Sequence, residues 1–374
     1  MEIQGNLLSL RDVTIQCSHG RIQSISKQKG AKDTNIIIPG MIDTHIHGLK
    51  GKDFMDANLS SYEHIARNLV KFGVTGFLAT TRAESMDLIK TVLKKLVEYH
   101  SVNHEDNLAA QMLGIHLEGP WLNPEYRGAQ KIEHIQAPKL EDAKAIYAIT
   151  GDLLKVVTLA PEVKGMEKII RFFRQKGVQV SAGHTDAGVE EFKLAYEQGI
   201  TRVTHSFNAM RGLNHRLPGI MAPAMLNDNI YCEIIADGIH VHPLMIRMLI
   251  KQKPLERLIL VSDSSAATGL EDGTYYLGGK SLVKKNRLVL LEKGQTIAGS
   301  AITLLDAVRF LNKTLHIKLE NIIYGASTNP ALSINLSNKG EIRVGYDADV
   351  VLLDRNLNVH STFIGGKNVF LKED

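Results

Sequence analysis

Eight short apolar runs recur along the middle of this chain, each six to eight residues long. They occupy residues 40–47, 73–80, 111–118, 155–160, 178–184, 202–207, 230–236 and 258–263. Between them, apolar residues return every three or four positions, as at 60–72, 86–99, 188–197 and 243–251. Short runs bounded by turn residues read as buried strands, and the intervening pattern reads as helix. Eight strands alternating with helices predict an α/β fold, a (β/α)8 TIM-like barrel. An open doubly wound sheet is the alternative, but it needs a Gly-x-Gly-x-x-Gly turn after the first strand, and none is present.

Both ends of the chain have a different texture, with short strands broken by polar turns. Residues 6–10, 12–16 and 21–25 read as strands at the start, and 348–353, 359–363 and 367–371 at the end, with Gly365-Gly366 as a turn. Neither end is long enough to bury a core alone. Together they predict a small β-sandwich domain from residues 1–39 plus 339–374, set on a barrel of residues 40–338. After the eighth run the alternation lapses. Residues 274–277 and 287–291, with Gly278-Gly279 between, predict a hairpin-bearing excursion ahead of a helix over 304–315.

Composition narrows the function class. Of 374 residues, 44% are hydrophobic and 22% charged, as in a soluble globular protein. Lys+Arg number 44 against Asp+Glu 40, a formal charge of +4 that does not argue for a nucleic-acid or membrane-surface partner and leaves open a locally basic pocket for an anionic small molecule. The two cysteines, Cys17 and Cys232, make no Cys-x-x-Cys pair and read as small buried apolar residues in a reducing compartment. The first residues lack a basic region followed by an apolar one, and no apolar stretch approaches the roughly 18 residues of a membrane helix. The expectation is a cytoplasmic protein.

Barrel enzymes carry their chemistry at the carboxyl ends of the strands. Here the first run ends in His45-Ile46-His47, whose alternate side chains point the same way along a strand. Taken alone, His-x-His is as often an ordinary strand as a metal site. The third run ends in His116-Leu117-Glu118, the fifth in His184, the sixth in His205 and the eighth in Asp263. Five strand ends each supplying His, Glu or Asp suit one or two divalent metals. A metal lowers the pKa of bound water toward about 7. A nearby carboxylate can then move the water's proton to a leaving group. Asp263 is the candidate, its alternative reading being an N-cap for the turn that follows.

These residues carry a resemblance that covers nearly the whole chain. It runs through Pro39-Gly40-Met41-Ile42-Asp43 with the His pair, His116-Leu117-Glu118-Gly119-Pro120-Trp121, Ala182-Gly183-His184-Thr185-Asp186 and Thr204-His205-Ser206-Phe207-Asn208-Ala209-Met210. Ala236-Asp237-Gly238-Ile239-His240, Ala298-Gly299-Ser300 and Thr328-Asn329-Pro330-Ala331 complete it. The sequence resembles the amidohydrolase superfamily and, within it, the N-acetylglucosamine-6-phosphate deacetylase family. The resemblance implies that Glu118, His184 and His205 hold a principal divalent metal, with zinc, iron, manganese and cobalt all open. His45 and His47 would add a second ion bridged by Glu118, and Asp263 would be the general base and acid. It implies that His240 meets the acetamido carbonyl. Asn208, the amide of Ala209 and Arg216 would meet phosphate, with Arg216 reaching across a homodimer interface. Solvated surface remains the other reading of Arg216, and Arg211 or Arg127 could share its task. Where the family often has a histidine contacting a sugar hydroxyl, this chain has Gln130.

The reaction so implied is hydrolysis of N-acetyl-D-glucosamine 6-phosphate to D-glucosamine 6-phosphate and acetate, through attack by metal-activated hydroxide. Deacetylation of a related phosphorylated amino sugar, such as the galactosamine epimer, is the alternative. A catalytically dead scaffold barrel would have lost its ligands, and a cyclic-amide hydrolase would not need the phosphate set.

Overall fold

The computed structural model describes the chain apart from residues 9, 28–34, 103–107, 278, 293–295 and 374. All eight predicted barrel strands form: β1 (Met41–Ile46), β2 (Val74–Thr80), β3 (Gln111–Glu118), β4 (Leu154–Leu159), β5 (Gln179–Ala182), β6 (Ile200–Val203), β7 (Tyr231–Ile234) and β8 (Leu258–Leu260). They lie parallel in sequence order in one sheet. β1 is buried at every position, as a parallel strand with both faces covered must be. The ring closes lightly between β8 and β1, through an isolated bridge between Ile46 and Ser264. Two backbone bonds flank that bridge, His47 N–H to Ser264 O and Asp263 N–H to His45 O, each 2.9 Å. The seam therefore runs directly through the candidate site.

Helices fill the intervals, among them α1 (Leu59–Leu69), α2 (Met86–Ser101), α3 (Leu140–Thr150), α4 (Met166–Gln175), α5 (Val189–Gln198), α6 (Met221–Leu226) and α7 (Pro243–Gln252). The starts follow local chemistry. The Ser85 hydroxyl accepts from Leu88 N–H ahead of α2, and Pro243 occupies the first turn of α7, where its missing N–H has no cost. The helix expected over 304–315 is helical only for Leu304–Arg309 and widens into a π turn over Phe310–Thr314. No helix among the described residues is long and apolar enough to cross a membrane.

Strands from both termini make one seven-stranded sheet. Its first strand is Glu2–Leu7, not 6–10 as expected: Leu8 is in a turn, and Ser9 lies outside the described residues. The burial there alternates through Ile3 and Gly5, a signal that the cluster of leucines further on obscured. The two layers expected of a sandwich come from this single sheet. Side chains from its far ends, Ile15 and Ile22 with Val350 and Phe363, share one apolar core. Bonds from Ala348 N–H to Gly20 O and Ile22 N–H to Tyr346 O tie the ends together at 2.8 and 2.9 Å.

The expected hairpin is larger than anticipated. Gly273–Leu277, Lys280–Lys285, Leu288–Leu291 and Ile297–Ser300 form a four-stranded antiparallel sheet; Gly278, expected in its first turn, lies outside the described residues. Leu282, Val289 and Ala298 pack with Ala267 and against Ala129, so this sheet is clamped over the barrel mouth.

Gly40 joins the terminal sheet to β1. Its N–H donates to Asp349 O at 2.9 Å, and its carbonyl accepts from Ser327 Oγ at 2.5 Å. A Cβ there would sit 2.1 Å from Thr75 Oγ1, far inside contact distance. Gly40→Ala should destabilise the protein by about 1–3 kcal/mol through overpacking, read as a lower thermal midpoint. An unchanged midpoint would mean that β1 can shift without loss.

Candidate active site

The ends of β1, β3, β5, β6 and β8 converge on a cavity of about 360 Å³ lined by His47, Glu118, His184, His205 and Asp263, within the size range of small-molecule sites. Two groups of ligand atoms form there: His45, His47 and Asp263 in one, and Glu118, His184 and His205 in the other. Glu118 stands between them. Its Oε1 lies 3.3 Å from the Nε2 atoms of His45, His184 and His205, and its Oε2 lies 3.5 Å from His47 Nε2. Asp263 Oδ1 is 3.2 Å from His47 Nε2 and 3.5 Å from His45 Nε2.

The tautomers follow from partners that can only accept. His45 Nδ1 donates to the Glu233 carboxylate at 3.0 Å, and His184 Nδ1 donates to the Tyr126 carbonyl at 3.0 Å. A neutral ring that donates from Nδ1 carries its lone pair on Nε2. Those lone pairs face the oxygens of Glu118 and each other, with His184 and His205 Nε2 atoms 3.1 Å apart and those of His45 and His47 3.3 Å apart. Acceptors converging on acceptors describe the surroundings of a cation, and imidazole with carboxylate is a donor set for zinc or a similar divalent ion. The residues fit the metal that the resemblance implies.

Charge in this pocket is finely balanced. Burial alone would push Glu118 up, but positive charge on the adjoining His45 and His184 rings draws it well below the usual carboxylate range. Asp263 is likewise held low, its burial outweighed by His45 and His47. Its side chain faces the two histidines, so the N-cap alternative is not the arrangement found. His184, His205 and Asp263 all leave their strands in the left-handed region, at φ of 50°, 30° and 48°. For non-glycine residues that conformation is strained by on the order of 1–3 kcal/mol each and gathers at functional sites.

Beneath the ligands lies a network that sequence reading missed. Glu233 on β7 accepts from His45 Nδ1, from the His205 backbone N–H at 3.2 Å and from Arg202 Nε at 2.7 Å. Arg202 also donates to Thr44 Oγ1 and to Ser333 Oγ. Burial opposes the Glu233 charge, yet Arg202 and His45 hold its pKa far below the usual value. The only sign in the sequence was a charged residue at the head of one apolar run, Arg202, and another in the middle of the next, Glu233. His116, at the end of β3, shows why a strand-end histidine need not be a ligand. Its ring spans the Thr44 carbonyl at 3.0 Å and Thr158 Oγ1 at 2.7 Å, and burial lowers its pKa to about 3.

The other expected residues divide. His240 reaches the cavity. Its Nδ1 bonds Asp237 at 2.6 Å, while its buried Nε2 has no hydrogen-bond partner among the described residues. Burial disfavours the protonated ring, but Asp237 raises its pKa above the usual histidine value. Asn208 and Ala209 line the same cavity. Gln130 lines it too, but both ends of its amide are engaged: Nε2 donates to Glu118 Oε2 at 2.8 Å and Oε1 accepts from Ala83 N–H at 3.2 Å. Arg216 is exposed and does not line the cavity of its own chain. Of its possible substitutes, Arg211 is bound on two nitrogens by Asp186, and Arg127 lies outside the cavity lining. Arg82, which sequence reading passed over, does line it.

Comparison with known proteins agrees with this geometry. The sequence matches the amidohydrolase family over residues 36–369, and the chain belongs to that family. Within it, an N-acetylglucosamine-6-phosphate deacetylase of Bacillus subtilis is 36% identical over 93% of this chain and 88% of its own. The solved N-acetylglucosamine-6-phosphate deacetylase of Thermotoga maritima superposes with a TM-score of 0.90 at 32% identity, over the whole of both chains. A mutant of the Mycobacterium smegmatis enzyme, solved in complex with N-acetyl-D-glucosamine-6-phosphate, superposes at 0.92 with 27% identity over 99% of each chain.

Removing the Glu233 carboxylate would strand Arg202, which is 1% exposed, as an unpaired buried cation. Glu233→Ala should cost about 3–5 kcal/mol of stability, measured by denaturant unfolding. A cost below 1 kcal/mol would show that water or another group readily takes the place of the carboxylate.

Proposed function

We propose that the protein hydrolyses N-acetyl-D-glucosamine 6-phosphate to D-glucosamine 6-phosphate and acetate. The observation that carries this reading is a single buried carboxylate, Glu118, shared by two histidine pairs in a cavity that also presents Asp263, the unpartnered Nε2 of His240, and Asn208 with Ala209. The named activity of relatives spanning most of the chain supports the same substrate.

Glu118, His184 and His205 would hold one divalent ion, and His45 and His47 a second with Glu118 between them. When bound, such an ion acidifies water and withdraws electrons from a carbonyl. The rest is done by the chain's own groups. Asp263, ionised and directed at the same point as His47, accepts the proton of the attacking water. It returns that proton to the nitrogen as the C–N bond breaks, so that a neutral amine leaves. His240, oriented by Asp237 and protonated on both ring nitrogens, presents Nε2–H to the carbonyl oxygen, where charge builds as the amide becomes tetrahedral. The Ala209 amide supplies a neutral N–H donor to the phosphate, suited to an anion; Asn208, whose Nδ2 donates to the carbonyls of His205 and Ser206 at 3.2 Å, would have to exchange one of those bonds to join it. Arg216 lies outside its own cavity, so its phosphate contact would be made in the cavity of a second copy, within a homodimer.

Asp263→Asn should keep bound metal and sugar phosphate while kcat falls by about 100- to 10,000-fold, the usual contribution of a positioned acid–base. Retention of most of the turnover would refute its role. Dialysis against a chelator should abolish deacetylation, and added divalent metal should restore it. Full activity in metal-free protein would overturn the reading.

A further inference from the structure

Among the described residues that line the cavity, Arg82 is the only lysine or arginine, and none of the roles above uses it. It lies just beyond β2, with its side chain 15% exposed and paired to Asp53, itself 5% exposed. Asp53 is fixed on both oxygens: Oδ1 accepts from Met55 N–H at 2.8 Å, and Oδ2 accepts from Arg82 Nη1. Among the described residues that is the one side-chain hydrogen bond Arg82 makes, out of the five N–H groups of a guanidinium. The next residue, Ala83, is tied through its N–H to Gln130 and thence to Glu118. Arg82 is thus held beside the ligand set with donors to spare, while Gln130 beside it has its amide engaged.

We propose that Arg82, with Asp53, binds a ring hydroxyl of the substrate and contributes to sugar specificity. This rests on the deacetylase reading and adds to it. Charge decides the ligand. Burial works against the Arg82 cation, but Asp53, Glu84 and Glu118 around it raise its pKa. A phosphate dianion placed there would meet the Asp53 carboxylate that already balances the Arg82 charge. A hydroxyl instead accepts from the guanidinium and can donate to Asp53, and the site stays neutral. Topology agrees. β2 and β6 are four strands apart in a ring of eight, so Arg82 faces Asn208 and Ala209 across the mouth. With phosphate at the β6 side and the acetamide over Glu118, the far edge of a hexosamine ring carries the hydroxyls on C1 and C3, the two carbons flanking the acetamido carbon.

Steady-state kinetics of the native protein, Arg82→Met and Arg82→Lys on the parent sugar phosphate, its 1-deoxy and 3-deoxy analogues and the unphosphorylated sugar test this directly. On the parent, Arg82→Met should lower kcat/KM by about 10- to 100-fold, mainly through KM, as expected for a charged hydrogen bond, with metal content unchanged. On one deoxy analogue the native protein and the variant should agree within about twofold. Equal penalties on the parent and both analogues, or a loss of metal, would give Arg82 a merely structural role and overturn the proposal. A penalty that vanishes only on the unphosphorylated sugar would make it a phosphate anchor and also overturn it. Should Arg82→Met fail to fold, Arg82→Lys, which keeps the charge without the fork, enters the same comparison. Failure of the native protein to deacetylate the parent would overturn the deacetylase reading and this inference with it; the analogue pattern overturns this inference alone.

Discussion

One buried carboxylate sets the terms for this molecule. Glu118 is 2% exposed at the centre of the barrel mouth, where an isolated negative charge would be very costly. The Gln130 amide donates to it at 2.8 Å, and imidazoles from the ends of β1, β5 and β6 stand 3.3 Å from it. Those same imidazoles present lone pairs, so the arrangement is compensated most fully by cations. Asp263 then completes a site in which each charge depends on its neighbours. Removing one ligand would disturb all of them.

The fold supports this at its weakest seam. The segments that follow β8 and end β1 meet at an isolated bridge and a few backbone bonds rather than a full ladder, yet they carry Asp263 and the His45–His47 pair. What stiffens that seam is partly underneath it. Glu233 grips the ring of His45 and the backbone of His205 together, with Arg202 behind it and Thr44 beside His45. A buried ion pair of this kind gives little net stability. Its placement under ligands from different strands suits the fixing of ring orientation, the usual task of groups that support metal ligands. Above the seam, the excursion sheet closes one side with Leu277, Leu282 and Ala298, an apolar wall that excludes water from the mouth.

Much of this was legible in the sequence, for identifiable reasons. The eight strands were readable because parallel barrel strands are buried on both faces and so appear as unbroken apolar runs. The ligands were readable because they end those runs, as His45, Glu118, His184, His205 and Asp263 do. The supporting layer was hidden because Arg202 opens one apolar run and Glu233 sits inside the next, and their pairing depends on β6 and β7 being neighbours. Arg82 escaped notice because a single arginine after a strand has no local signature. The left-handed strand ends at His184, His205 and Asp263 occupy non-glycine residues, so no turn signal marked them. The first strand was displaced because the leucines at 7, 8 and 10 drew the reading past the alternation through Ile3 and Gly5.

The dependence on Glu118 is most directly tested by counting metal. Protein stripped with a chelator and refilled with a divalent ion should bind two equivalents, and Glu118→Ala treated identically should bind fewer than one. Two equivalents retained by Glu118→Ala would contradict the shared carboxylate as the constraint on which the site is built.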